Sequence, residues 1–166
     1  MNESYVECMV ARKDIPFLGV LKYIIYIFTG VSLIATMAWS FVFVVPLAAF
    51  AALVWLVVPN FELEYEYLYI DREISIDKIM SKQKRKKIRT IKLSAMEFMC
   101  PSSSHQLDQY RSRNVKTSDY SSHRADAATW VIMYKDQGTE ELIVLEPNEE
   151  MLKVIKGVYP RKVIEY

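Results

Sequence analysis

A chain of 166 residues, 52% of them hydrophobic, has room for one folded domain and a membrane segment. Its formal charge of +1 at pH 7 singles out no class of partner. Two distant cysteines, Cys8 and Cys100, exclude a disulfide framework and form no CxxC pair, which fits a reducing compartment.

Residues 1–17 read as a short cytoplasmic segment. The chain then turns apolar: from Tyr23 to Val58, 36 residues carry no charge. One helical crossing takes about 20 residues. At ~1.5 Å per residue the run makes about 54 Å of helix, close to two crossings of a ~30 Å core once Leu18 and Asn60 are included. Residues 18–60 are therefore expected to form a transmembrane helical hairpin. "TMAWS", Thr36 to Ser40, is the expected turn, with Trp39 at the outer interface. Pro46 falls inside the second helix, where a membrane tolerates it, and Pro59 and Asn60 end it. A signal peptide has an apolar core of only about 7 to 15 residues. A soluble hairpin keeps a polar face, which these helices lack. Arg12, Lys13 and Lys22 stand before the run and a basic cluster stands after it, with no charge at the turn. The positive-inside rule then places the hairpin in the cell (inner) membrane with both termini cytoplasmic.

Residues 61–166 read as a separate, mainly antiparallel β domain. In "FELEYEYLYI", Phe61, Leu63, Tyr65, Tyr67 and Tyr69 alternate with glutamates, the pattern of a half-buried strand. Asp71-Arg72 is a two-residue turn into "EISIDKI". "SKQKRKK" then reads as a turn running into the edge of a strand, "KIRTIKL", and "AMEFMC" as a further short strand. Pro101 to Lys116 is loop-like, and "NVKTSDYSS" reads as an edge strand. "ATWVIMYK" and "TEELIVLE" form a hairpin closed at Gly138. "PNEEMLKVIKGVY" is a helix capped by Asn148, with Met151, Leu152, Ile155 and Val158 as its apolar stripe. The fold class is an α+β membrane protein: about seven strands, then a terminal helix covering the open end of a bent sheet.

That order resembles the pleckstrin-homology superfold. The stretches "FELEYEYLYIDREISIDKIMSKQKRKKI", "SHQLDQYRSRNVKTSDYSS" and "MNESYVECMV" resemble an uncharacterised family of small Firmicutes membrane proteins. The likeness covers nearly the whole chain. It implies a transmembrane hairpin joined to a pleckstrin-homology-like domain, and it brings no catalytic residues.

The strongest functional feature is "SKQKRKKIRTIK", with seven basic residues and no acidic one. Without them, residues 61–166 hold 11 basic against 17 acidic side chains. Lys82, Lys84, Arg85, Lys86, Lys87 and Arg89 are the candidate site for anionic lipid head groups or an acidic partner. Each is worth about 1 kcal/mol at an anionic surface. The plain alternative is a solvated run that only sets topology. Nucleic acid is not expected as a partner, because the rest of the domain is acidic and no aromatics interleave. Cys100, His105, Asp108, Asp119, His123 and Asp126 match no metal-ligand spacing, so no metal or cofactor is expected. Ser103, His105 and Asp108 lack a nucleophile elbow. The expected function is a non-enzymatic, membrane-anchored binding or scaffolding module. The alternative is an accessory subunit whose chemistry lies in an unidentified membrane protein partner.

Overall fold

A computed structural model describes residues 5–13, 16–58, 62–82, 84–136 and 138–165. They fall into two compact units. One holds the chain up to Arg12, Glu64–Lys78 and everything from Arg85 on; the other holds Lys13–Leu63 and Ile79–Lys84.

The first unit is built on two four-stranded sheets. One has the order β1-β2-β3-β4, with β1 Val6–Ala11, β2 Leu63–Ile70, β3 Glu73–Met80 and β4 Lys84–Lys92. The other has the order β5-β7-β8-β6, with β5 Met96–Pro101, β6 Lys116–Asp119, β7 Trp130–Asp136 and β8 Thr139–Leu145. Alternation decides which side chains point inward. Leu63, Tyr65, Tyr67 and Tyr69 are buried on β2, and Ile74 and Ile76 on β3. Each such side chain contributes roughly 1.5–3 kcal/mol by leaving water. Asp71 (φ 49°) and Arg72 (φ 64°) are both left-handed, as a two-residue turn matched to strand twist requires. The Tyr67 hydroxyl donates to the Tyr120 carbonyl at 2.5 Å, tying the first sheet to the segment after β6.

The N-terminal segment corrects the expected domain boundary. Val6–Ala11 is not a tail outside the domain; it is the edge strand of the first sheet. It pairs antiparallel with β2, from Val6 opposite Tyr69 to Ala11 opposite Glu64. Val6, Cys8 and Val10 are buried while Glu7, Met9 and Ala11 are exposed, the two-residue period of a half-buried strand. The strand count is therefore eight among the described residues.

The second sheet places β6 parallel to β8 and the other pairs antiparallel. The region read as a loop is folded: a 3-10 turn, His105–Leu107, leads into a short helix, α3, Asp108–Ser112. Leu107 is buried with Cys100, Val131, Met133 and Leu142, and Tyr110 packs on the same cluster. The C-terminal helix, α4, Glu149–Val158, is capped by Asn148 Oδ1 accepting from Met151 N–H at 2.8 Å. Met151 and Ile155 are buried, whereas Val158 at the stripe's end is exposed. Past α4 the chain bonds back to β5, with Met99 N–H to Lys162 O at 2.7 Å and Ile164 N–H to Met99 O at 2.8 Å.

The second unit is helical. The first two helices of the chain are α1, Pro16–Ala38, and α2, Val44–Leu56, joined through Trp39, Ser40 and a 3-10 turn, Phe41–Phe43. They fold against each other, with Phe28 and Phe50 stacked at 5.4 Å between centroids. The turn comes later than "TMAWS" places it: Thr36, Met37 and Ala38 still belong to α1, and Trp39 and Ser40 lead into the 3-10 turn, which Ser40 caps. Pro46 is the third residue of α2, inside its first turn, so no intrahelical hydrogen bond is lost to it. Pro59, Asn60 and Phe61 lie outside the described residues. Phe17–Ala38 is one helix long and apolar enough to cross a membrane. The second apolar stretch, Phe41–Leu56, is shorter, about 24 Å at helical rise.

Candidate functional site

Of the candidate basic residues, Lys82 lies in a turn and the others on a strand. Ser81 and Lys82 are left-handed (φ 48° and 55°), and Lys84–Lys92 is continuous β4. β4 is the last strand of its sheet. Lys84, Arg85, Lys86 and Lys87 are all exposed, so both parities of β4 face solvent along its first half.

Their surroundings differ. The Arg85 guanidinium pairs with Glu66 on β2, and its Nε donates to Asp77 Oδ2 on β3 at 2.7 Å. Both carboxylates are nearly buried, with side chains 6% and 11% exposed, so Arg85 supplies the counter-charge they need. Asp77 Oδ1 is buried without a hydrogen-bond partner among the described residues. Arg89 points to the other sheet. It donates to Glu141 Oε2 at 2.7 Å, and its guanidinium lies 5.1 Å from the Tyr134 ring centroid. Glu141 also accepts from Ser118 Oγ at 2.5 Å and faces Lys116 Nζ at 3.3 Å. Burial pushes the Glu141 carboxyl up, but these hydrogen bonds and the Arg89 charge outweigh it and hold it below its ordinary value. Arg89 thus joins β4 to β8.

The lysines are different. Lys82, Lys86 and Lys87 form no ion pair among the described residues. Lys84 Nζ lies 5.0 Å from the Trp55 ring centroid, near the end of α2. Within the same helical unit, Lys22 Nζ reaches Glu62 Oε1 at 2.7 Å, and Ser81 N–H donates to Glu62 O at 2.9 Å. The start of the basic run is thereby fastened to the polar end of the apolar helices.

Of the six sequence-selected residues, four lysines remain available to an outside anion and two arginines serve the domain's own carboxylates. Sequence reasoning missed Glu66, Asp77 and Glu141 as their partners. The signal was faint: acidic residues on strands otherwise read as ordinary solvent-facing positions.

The remaining polar candidates do not assemble. Among the described residues, no three His, Cys, Asp or Glu side chains converge as metal ligands. Cys100 sits in the apolar cluster beneath Leu107. Burial pushes both the Cys100 and the Cys8 thiols up, so both are protonated at neutral pH. His105 lies 3.4 Å from Asp108 on the surface, and His123 lies 3.6 Å from Asp119.

No curated protein and no solved structure matches the chain. Two sheets and a C-terminal helix are nonetheless the architecture expected of a pleckstrin-homology-like domain. The family match runs over residues 2–165, and the chain belongs to the family described as the bacterial PH-like domain (DUF6106).

Proposed function

We propose that this protein is a membrane-anchored binding module. Its PH-like domain is tethered by a helical hairpin that crosses the cell membrane twice, and the β4 lysines hold the domain against anionic lipid head groups of the cytoplasmic leaflet. The observation that carries this reading is where the apolar helices are inserted. The chain leaves the first sheet at Ala11 and rejoins it at Glu64, and those two residues are paired neighbours. A segment that departs and returns to one sheet crosses a bilayer an even number of times or not at all. One span alone is incompatible with the β1–β2 pairing. The contact of Lys84 with Trp55 supports an interfacial position for the start of the run, since tryptophan favours the head-group layer.

The lipid contact is carried by Lys82, Lys84, Lys86 and Lys87, while Arg85 and Arg89 are engaged internally. Four lysines at about 1 kcal/mol each give roughly 4 kcal/mol, lessened as salt screens them. The test is a fluorophore at Ile88→Cys, in a cysteine-free background, with the full chain in nanodiscs carrying spin-labelled head groups. Quenching is expected to be strong with phosphatidylglycerol, weak with phosphatidylcholine alone, and reduced by salt. Changing the four lysines to Gln should abolish the difference. Equal quenching of parent and variant in anionic nanodiscs would refute the lipid contact.

A further inference from the structure

The second sheet has a face that its own chain covers in part. Leu107 and Tyr110, from the 3-10 turn and α3, pack over Cys100 and Met133. Beyond them the face opens into a pocket of about 440 Å³, within the usual range for small-ligand sites. Val144 and Ala127 supply its half-buried apolar lining, above the buried Leu107, Val131 and Leu142. Three nitrogen-bearing side chains, Arg111, His123 and Arg124, also line it.

The charges there do not cancel. Asp119 is the carboxylate of the lining, and both its oxygens are engaged: Oδ1 accepts from Ser121 N–H (2.8 Å) and Oγ (2.7 Å), and Oδ2 faces His123 Nδ1 at 3.6 Å. Arg111 is steadied at the rim by donating to Ser102 O at 2.8 Å, with Asp108 at 3.7 Å on its outer side. Arg124 is exposed and has no ion pair among the described residues. His123 adopts φ 57°, a left-handed conformation that an L-residue holds at some cost.

We propose that this pocket binds a small organic anion, its apolar body against Val144 and Ala127 and its acidic group on Arg124 and Arg111. Neither half suffices alone. An apolar floor attracts uncharged compounds indiscriminately, and exposed arginines attract any anion weakly. Their adjacency selects molecules with both parts. The site is separate from the β4 lysines and does not depend on the membrane reading.

The probe is phenyl phosphate, titrated into the full chain in phosphatidylcholine nanodiscs and followed by backbone amide NMR shifts. Inorganic phosphate tests the head alone and benzyl alcohol the body alone. Phenyl phosphate is expected to bind at least about tenfold more tightly than either, shifting amides of β6, β8 and the 121–127 segment. Arg124→Gln should weaken it about tenfold, the scale of one charge-assisted hydrogen bond. Ala125→Trp, at an exposed rim position, should block entry without disturbing the core. Changing Lys84, Lys86 and Lys87 to Gln should leave the titration unaltered. The proposal is overturned if phenyl phosphate binds no better than inorganic phosphate. It is equally overturned if Arg124→Gln and Ala125→Trp bind like the parent, or if the lysine variant alone loses binding.

Discussion

Arg85 and Lys86 are adjacent and alike in charge, and the fold gives them unlike roles. Arg85 neutralises two carboxylates that the first sheet has nearly closed off from water, whereas Lys86 faces solvent. Removing one partner from a buried pair costs about 3–5 kcal/mol. Arg85 is half exposed, so water shares the load and about 2 kcal/mol is the expected loss for Arg85→Gln. Lys86→Gln should stay within about 0.5 kcal/mol. Denaturant unfolding of the full chain in one detergent measures both. Similar costs for the two substitutions would mean that the Glu66–Arg85–Asp77 cluster stabilises nothing. For this reason Arg85 is a poor choice for testing lipid contact: its loss would mimic a binding defect by loosening β2, β3 and β4 together.

At the scale of elements, the decisive feature is β1. Its pairing with β2 implies that the helical segment is an insertion into a β-hairpin, since Ala11 and Glu64 face each other across two strands. Replacing residues 13–62 by Asn-Gly, which favours two-residue hairpin turns, should join Arg12 to Leu63 and yield a water-soluble, mainly β monomer. A fragment beginning at residue 61 lacks β1 and leaves the β2 edge open, so it should melt lower or aggregate. Circular dichroism and sedimentation decide the matter; equal behaviour of the two chains would show that β1 adds nothing. Most strands were legible because tyrosines and isoleucines alternate with charges, and the turn at Asp71-Arg72 was legible from its length. β1 was not, since six residues stranded ahead of a long apolar run carry no sign of a partner some fifty positions later. β4 was obscured because lysine and arginine occupy both parities of its first half. α3 was hidden by its length, five residues being too few to show a helical period. Of the candidate site, the run of charge was plain in the sequence. Which members were already spoken for depended on carboxylates from β2, β3 and β8. The lysines on β4 also discourage another strand from adding to that sheet margin, a role that would survive the loss of any lipid contact.

For the whole molecule, the insertion constrains topology. Ser40 in the turn between α1 and α2, and Ser103 in the PH-like domain, are both exposed. Cysteines placed singly at these positions, in a cysteine-free background, should respond differently to an impermeant thiol reagent on intact cells. Ser40→Cys should label and Ser103→Cys should not. Labelling of both, or of Ser103→Cys alone, would contradict the paired-crossing arrangement with a cytoplasmic domain.

The same insertion sets an order of events during synthesis. β1 leaves the ribosome with Val6, Cys8 and Val10 unpaired, and its partner strand follows only after the 51 residues from Arg12 to Glu62 have been made. At ~5–20 residues per second that is a wait of several seconds. On the proposed two-crossing topology, a second apolar stretch that failed to return across the bilayer would deliver β2 to the wrong compartment, and the sheet could not close. The seam between β1 and β2 would then act as a proofreading step: only a chain whose anchor had gone in and come back would finish its domain, and a misthreaded chain would be left with an open edge for quality-control proteases to find.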